Sequence, residues 1–198
     1  MWRSAFAVSV FALLCPLAQG QYGGGTGNIS GQKEVGGLAG SSFFGTLSTC
    51  YSTGKVLGLE QVGGLVGYNH LGEILNCFSI NKVIGDSAVG GLVGTNEGTV
   101  LCCHSAGGVE GMINVGGLVG SCHGGSFHID GSPVTGVATD SFWDVDMSGR
   151  TTSAGGESRN TCEMRQKATF VNWDFNDVWN IAENQTYPFL RPERANHK

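Results

Sequence analysis

Val35–Gly40 reads VGGLAG, and VGGLVG follows at Val62–Gly67, Val89–Gly94 and Val115–Gly120. The four starts lie 27, 27 and 26 residues apart. A fixed period of this length marks a repeat architecture in which each unit buries its apolar side only by stacking on its neighbours. Within a repeat, β-branched residues alternate with small or polar ones, and no apolar stripe of helical period runs from Val35 to Val137. The expectation is an all-β parallel β-solenoid (β-helix) of about four and a half rungs, closed by a small aromatic C-terminal cap containing a short helix.

Working outward from the motif extends the period. Six places before each VGG stands an apolar residue and four places before it a glycine: Ile29 and Gly31, Val56 and Gly58, Val83 and Gly85, Val109 and Gly111. Val134 and Gly136 repeat the pair once more, after which DSFWDVD breaks the pattern at Asp140. Three extended segments are expected per repeat, separated by glycine turns. Stacked rungs lie about 4.8 Å apart, so equivalent residues form ladders. Leu38, Leu65, Leu92 and Leu118 should make one, Leu47, Ile74 and Val100 a second, and Val56, Val83, Val109 and Val134 a third.

The remaining chain divides around this array. Residues 1–20 have the plan of a secretory signal: Arg3, a short apolar run over Ala5–Leu14, and small residues Ala18 and Gly20 before a cleavage site. Residues 21–139 are the repeats, with a half-repeat at 21–34 and full repeats from 35, 62, 89 and 115. Residues 140–198 are an aromatic capping segment and tail. Trp143, Trp173 and Trp179 mark it as a plug for the open end of the stack, with Asn160-Thr161 capping a helix over Cys162–Ala168. Nothing after the signal is apolar for long enough to span a bilayer. The formal net charge is −5 with charged residues only 14% of the chain, which argues against nucleic acid as a partner.

Few residues invite chemistry. Cys50, Cys77 and Cys103 share one column, either as a cross-rung disulfide staple or as small buried side chains. Cys102, Cys122 and Cys162 lie off that column, where a pair among them would tie the cap to the last rungs. Cys102, Cys103, His104, Cys122, His123 and His128 resemble a pool of metal ligands but lack zinc-site spacing. Asp144, Asp146 and Ser148 alternate like calcium ligands, yet Gly155 stands where a calcium loop needs its glutamate, and a hydrogen-bonded surface turn explains them more simply. No cofactor is implied. Asn28-Ile29-Ser30 and Asn184-Gln185-Thr186 are glycosylation sequons. The acidic residues Glu60, Glu73, Asp86, Glu97 and Glu110 are scattered over different columns rather than gathered in a groove.

VGGLVG followed by NCFSINKV (Asn76–Val83) resembles the GLUG motif of bacterial secreted and surface proteins, and TCYSTGKV (Thr49–Val56) repeats it. SFWDVDMSGRTTSAGG (Ser141–Gly156) and NWDFNDVWNIAENQTYPFLRP (Asn172–Pro192) are similar to the segment that follows such repeats. CCHSAGG (Cys102–Gly108) and SCHGGSFHID (Ser121–Asp130) depart from the pattern. The resemblance implies an extracellular β-solenoid without a catalytic constellation.

The expected function is a secreted or cell-surface, non-enzymatic module for adhesion or structure, with fibre formation a further expectation because the half-repeat start leaves a strand edge to pair. Its partners would be copies of itself or an extracellular surface. The alternative is a carbohydrate- or host-protein-binding module using the lateral faces, with Tyr51, Phe78 and His104 as a candidate stacking column. A small polysaccharide lyase or glycosidase is the remote third reading.

Overall fold

The computed structural model describes residues 23–126 and 131–192. The signal segment, His128 and the tail beyond 192 lie outside the described residues. Strand β1 (Gly23–Ser30) precedes four coils of four short strands each. The first coil holds β2 (Lys33–Gly36), β3 (Ala39–Phe43), β4 (Thr46–Ser48) and β5 (Cys50–Leu57). The second holds β6 (Glu60–Gly63), β7 (Val66–His70), β8 (Glu73–Leu75) and β9 (Phe78–Ile84). The third holds β10 (Ser87–Gly90), β11 (Val93–Asn96) and β12 (Thr99–Leu101), its last strand being split into β13 (His104–Ser105) and β14 (Val109–Glu110). The fourth holds β15 (Ile113–Gly116), β16 (Val119–Ser121), β17 (Val137–Thr139) and β18 (Phe142–Asp144).

All of these strands pair in parallel with the strand one coil away, making four lateral sheets. Val35 faces Val62, which faces Val89, which faces Val115. The fold is therefore the parallel β-solenoid expected from the period, with four strands per coil where three were expected. The extra break has a conformational cause. Glu34, Gln61, Ala88 and Asn114, inside β2, β6, β10 and β15, form one left-handed column with φ of 50–54°, and Thr49, Asn76, Cys102 and Asp140, between the last two segments of each coil, form a second column of corners with φ of 45–52°. The second column divides one of the three expected segments in two, as at Asn76 between β8 and β9. Left-handed corners in non-glycine residues carry no glycine signal, so the sequence conceals them.

Two apolar stacks run the length of the solenoid. The larger joins the column Leu38, Leu65, Leu92, Leu118 to the column Leu47, Ile74, Val100 and is closed by Trp143. The smaller is made of valines: Val35, Val62 and Val89 beside Val56, Val83 and Val109. Between them lies a polar seam of buried Ser52, Ser79 and Ser105 against the second glycine of each motif. A Cβ on Gly64 would stand 2.1 Å from the Ser79 hydroxyl and 2.1 Å from the Gly91 carbonyl. That contact explains why the position must be glycine.

Val134 does not join the valine ladder. Its amide bonds to the Ser126 carbonyl, inside a stretch between β16 and β17 that breaks the period. Pairing with the third coil is seen again at Val137, which faces Thr99. The Val134–Gly136 pair thus mimics the repeat in sequence without occupying its place in the coil.

Solenoid pairing also crosses the boundary drawn at residue 139. β18 continues the first sheet, and a short helix α1 (Val145–Ser148) follows, capped by the Asp144 carboxylate. The chain then lies across the end of the stack. Gly117 N donates to Thr152 O, Ala154 N to Val119 O and Glu157 N to Ser141 O. It finishes this path as β19 (Glu157–Arg159), paired to β18. Trp143 is the only one of the three tryptophans that plugs the coil interior. Its ring packs on Gly117 and its indole N–H donates to Arg150 O at 3.1 Å.

From Asn160 the chain leaves the end and runs along the outside. The expected helix over Cys162–Ala168 is instead two 3-10 turns, Glu163–Arg165 and Lys167–Thr169. Asn160 and Glu163 exchange backbone-to-side-chain bonds in a capping box. A small antiparallel pair, β20 (Trp179–Asn180) and β21 (Phe189–Leu190), ends the described chain. Among the described residues, no helix is long and apolar enough to cross a membrane.

Candidate functional site

Parallel register places equivalent positions of successive coils side by side, and on the outside of the β3–β7–β11–β16 sheet this builds one concentrated polar cluster. Phe43 faces His70 across the coils, and the next position in that column is Glu97. The Glu97 side chain is fully buried. Its Oε1 accepts the amides of Gly124 and Ser126, both at 2.9 Å. Its Oε2 accepts the Tyr68 hydroxyl, the Ser126 hydroxyl at 2.7 Å and His70 Nδ1 at 2.9 Å. Burial pushes the Glu97 pKa up, but donation from Tyr68, Ser126 and His70 outweighs it and holds the carboxyl at about 2. The ionised carboxylate fixes the proton on His70 Nδ1. The Tyr68 phenol is raised by burial and by its bond to Glu97.

Serine, histidine and glutamate here do not form a nucleophilic relay. Ser126 Oγ and Glu97 Oε2 both approach the same ring nitrogen of His70, whereas a relay needs them on opposite nitrogens. The chemistry of this cluster is that of a clamp: one buried anion gathers donors from coil two and from the stretch after β16. Around its outer rim, Phe43 is 58% and Phe44 73% exposed. Both rings touch the His70 imidazole, with centroids 5.3 and 5.4 Å away.

On the β5–β9–β13–β18 sheet the column Tyr51, Phe78, His104, Phe142 is in register. Tyr51 stacks on Phe78 and Phe78 on His104, each with centroids 5.2 Å apart. The column does not face solvent. Trp173, Trp179, Phe170, Phe175 and Met164 pack over it, so Phe78 and His104 are buried and unavailable for stacking on a sugar. Trp173 and Trp179, expected at the open end, belong to this lateral cover. Their indoles donate to Asp140 O at 2.7 Å and to Asn76 Oδ1 at 3.3 Å. His104 Nε2 donates to Pro188 O at 2.9 Å, while Nδ1 has no partner. Burial lowers the His104 pKa to about 4, against a smaller upward pull from Pro188.

The other sequence candidates are held by structural bonds. Asp144 Oδ1 caps α1 through the amides of Asp146 and Met147. Its Oδ2 accepts Thr161 Oγ1 and the Tyr187 hydroxyl, both at 2.7 Å. Asp146 accepts the Thr161 amide, and Ser148 Oγ accepts the Arg150 amide. Asp144 and Asp146 anchor the outer segment to β18, and Ser148 closes the turn after α1, rather than the three converging on a cation. Among the described residues, no group of three His, Cys, Asp or Glu side chains converges to hold a metal ion.

The cysteine column consists of thiols, not a staple. Cys50, Cys77 and Cys103 each donate to the carbonyl two residues earlier, at 3.1–3.2 Å. The amides of Cys50 and Cys77 in turn donate to the next sulfur, at 3.3 Å. Ser141 fills the fourth place with the same pair of bonds, to Thr139 O and from Cys103 N. A small side chain with one donor and one acceptor is what the column uses. Cys102, Cys122 and Cys162 have three different surroundings: half-buried beside the aromatic cover, buried in the main stack, and exposed. The Cys102 thiol is pushed up to about 11 by burial and by Asp140.

Glu97, Tyr68, His70 and Ser126 were not recognised as a group from sequence. The signal available was the spacing of His70 and Glu97, one repeat apart; Ser126 lies in the insertion, where no period predicts its position.

Residues 58–84 match the family model of the GLUG motif. No curated protein and no solved structure matches the chain. The matched stretch runs from the corner before β6 to the end of β9, one full coil, so the motif is a single turn of the solenoid. The chain is accordingly a parallel β-solenoid repeat protein whose second coil matches the GLUG motif.

Proposed function

We propose that this protein is a secreted, non-enzymatic module that serves extracellular adhesion or structure. The observation that carries the reading is that its reactive side chains are spent on the scaffold. Glu97 is a buried clamp at about 2, Asp144 a helix cap and anchor, the column cysteines hydrogen-bonding spacers, and His104 a neutral member of an aromatic stack. What remains outside is a rigid prism of short strands. Expression with its own leader tests the reading. The expected result is export, cleavage after Gly20 and retention of the cleaved protein on cell surfaces or matrix. Retention in the cell, or turnover of glycan substrates by the pure protein, overturns it.

One observation favours a carbohydrate- or protein-binding role within this frame. Phe43 and Phe44 are exposed beside His70 and the exposed Leu71, and exposed rings are the usual platform for sugars and protein anchors. Substituting both phenylalanines with alanine should abolish retention under this reading and leave it unchanged if surface binding lies elsewhere.

A further inference from the structure

We infer that a second copy of this chain pairs with β1 across a twofold axis, and that association stops at two. The inference rests on the structural-module reading and sharpens it.

Among the described residues, β1 is the outermost strand of the largest sheet and is hydrogen-bonded on one side, to β5. In a parallel ladder the alternate N–H and C=O groups of such a strand point away from its partner. β1 has eight residues, against four, five and three for β2, β3 and β4, the other strands at this end. Its register with β5 is unbroken over all eight pairs, so no bulge twists the edge away. The sequence GGGTGNIS carries no charge and no proline, the devices that normally protect an edge. Two copies of one strand related by a twofold axis run antiparallel, so β1 can pair with itself and join the two sheets into one.

On the cleavage reading above, only Gln21 and Tyr22 precede it, and two residues reach about 7 Å. The opposite end of the solenoid is different. Thr152, Ala154 and Glu157 bond to the last coil, and β19 lies beyond β18. A head-to-tail contact would need both ends open, so the fibre expected from sequence gives way to a closed pair.

The test is analytical ultracentrifugation, over a concentration series, of the chain secreted from Gln21 and of the full chain. The variants are Thr26→Lys, at an exposed position mid-way along β1, and Thr46→Lys, exposed on β4. The expected result is a monomer–dimer equilibrium for the secreted chain and for Thr46→Lys, with at least tenfold weaker association for Thr26→Lys and an unchanged circular dichroism spectrum. A monomer at every concentration overturns the pairing. Fibres or larger species overturn the stop at two, and a Thr26→Lys dimer of wild-type strength overturns β1 as the contact. A monomer still retained on cell surfaces contradicts the pairing alone, whereas a dimer that binds no surface contradicts the adhesion reading alone.

Discussion

The interior of the solenoid and its outer covers are stabilised in opposite ways. Inside, every coil repeats the one before: Leu65, Leu92 and Leu118 are all fully buried at the same place, and the Cys50, Cys77, Cys103, Ser141 column makes the same two bonds at each step. Outside, two covers occur once each. The stretch after β16 is pinned by Glu97, and the segment from Asn160 is pinned by rings around His104 and Trp179. The covers concentrate in single residues what the interior spreads along columns. A change in a cover should therefore be costly but local, and a conservative change in a column should be mild.

The largest effect is expected at Trp179, the bulkiest fully buried side chain. Trp179→Ala should cost about 3–5 kcal/mol and release the outer segment to protease while the far-ultraviolet signature of the coils survives. Loss of the whole fold would erase the distinction between cover and interior. Glu97→Ala should cost about 3 kcal/mol by leaving buried donors without an acceptor. Its mark would be new cleavage between Ser121 and Val137, with β20 and β21 still protected.

Acid should separate the two covers. The folded His104 pKa of about 4 lies below its free value of 6.5, so the native state holds fewer protons in that window. Stability then falls as pH drops from about 6.5 to 4, by about 3 kcal/mol at the lower limit. His104→Phe should flatten this part of the profile. The Glu97 contribution is fully present above 4.5 and is lost as pH falls towards about 2. The aromatic cover should thus loosen first, followed by tryptophan fluorescence. A single transition below pH 4 would contradict the order.

In the interior, Cys77→Ser should cost less than about 1 kcal/mol because Ser141 already performs that role, whereas Cys77→Val removes the acceptor of the Cys50 amide and should cost about 1–3 kcal/mol. Equal losses would mean that volume, not hydrogen bonding, governs the column. The smallest effect is a gain. Asn69 Nδ2 donates to Asn96 Oδ1 at 2.8 Å, but Asn69 Oδ1 is buried without a partner, and Ser42 occupies the preceding place. Ser42→Asn should extend the ladder and raise stability by about 1 kcal/mol in urea titration.

The interior was legible in the sequence because periodicity is its cause: a leucine recurring with VGGLVG can only be a ladder once coils stack. Corners were less so, since Thr49, Asn76, Cys102 and Asp140 share a left-handed φ but no residue type. Val134 shows the reverse failure, a residue that keeps the local spacing while an insertion carries it out of register. The covers were the least legible. Trp143, Trp173 and Trp179 look alike in sequence, yet the first fills the end of the coil and the other two lie along its side. Only tertiary contacts such as His104 with Pro188, 84 residues apart, decide between those places.

Native-state hydrogen exchange at neutral pH tests the separation of interior from covers most directly. Amides bonded within the coils, such as Leu65, Leu92 and Val93, should exchange only by global unfolding. Those of Met164, Trp173 and Trp179 should exchange through a smaller, shared opening free energy. A single opening free energy for both groups would contradict the account and make the outer segment part of one cooperative unit with the solenoid.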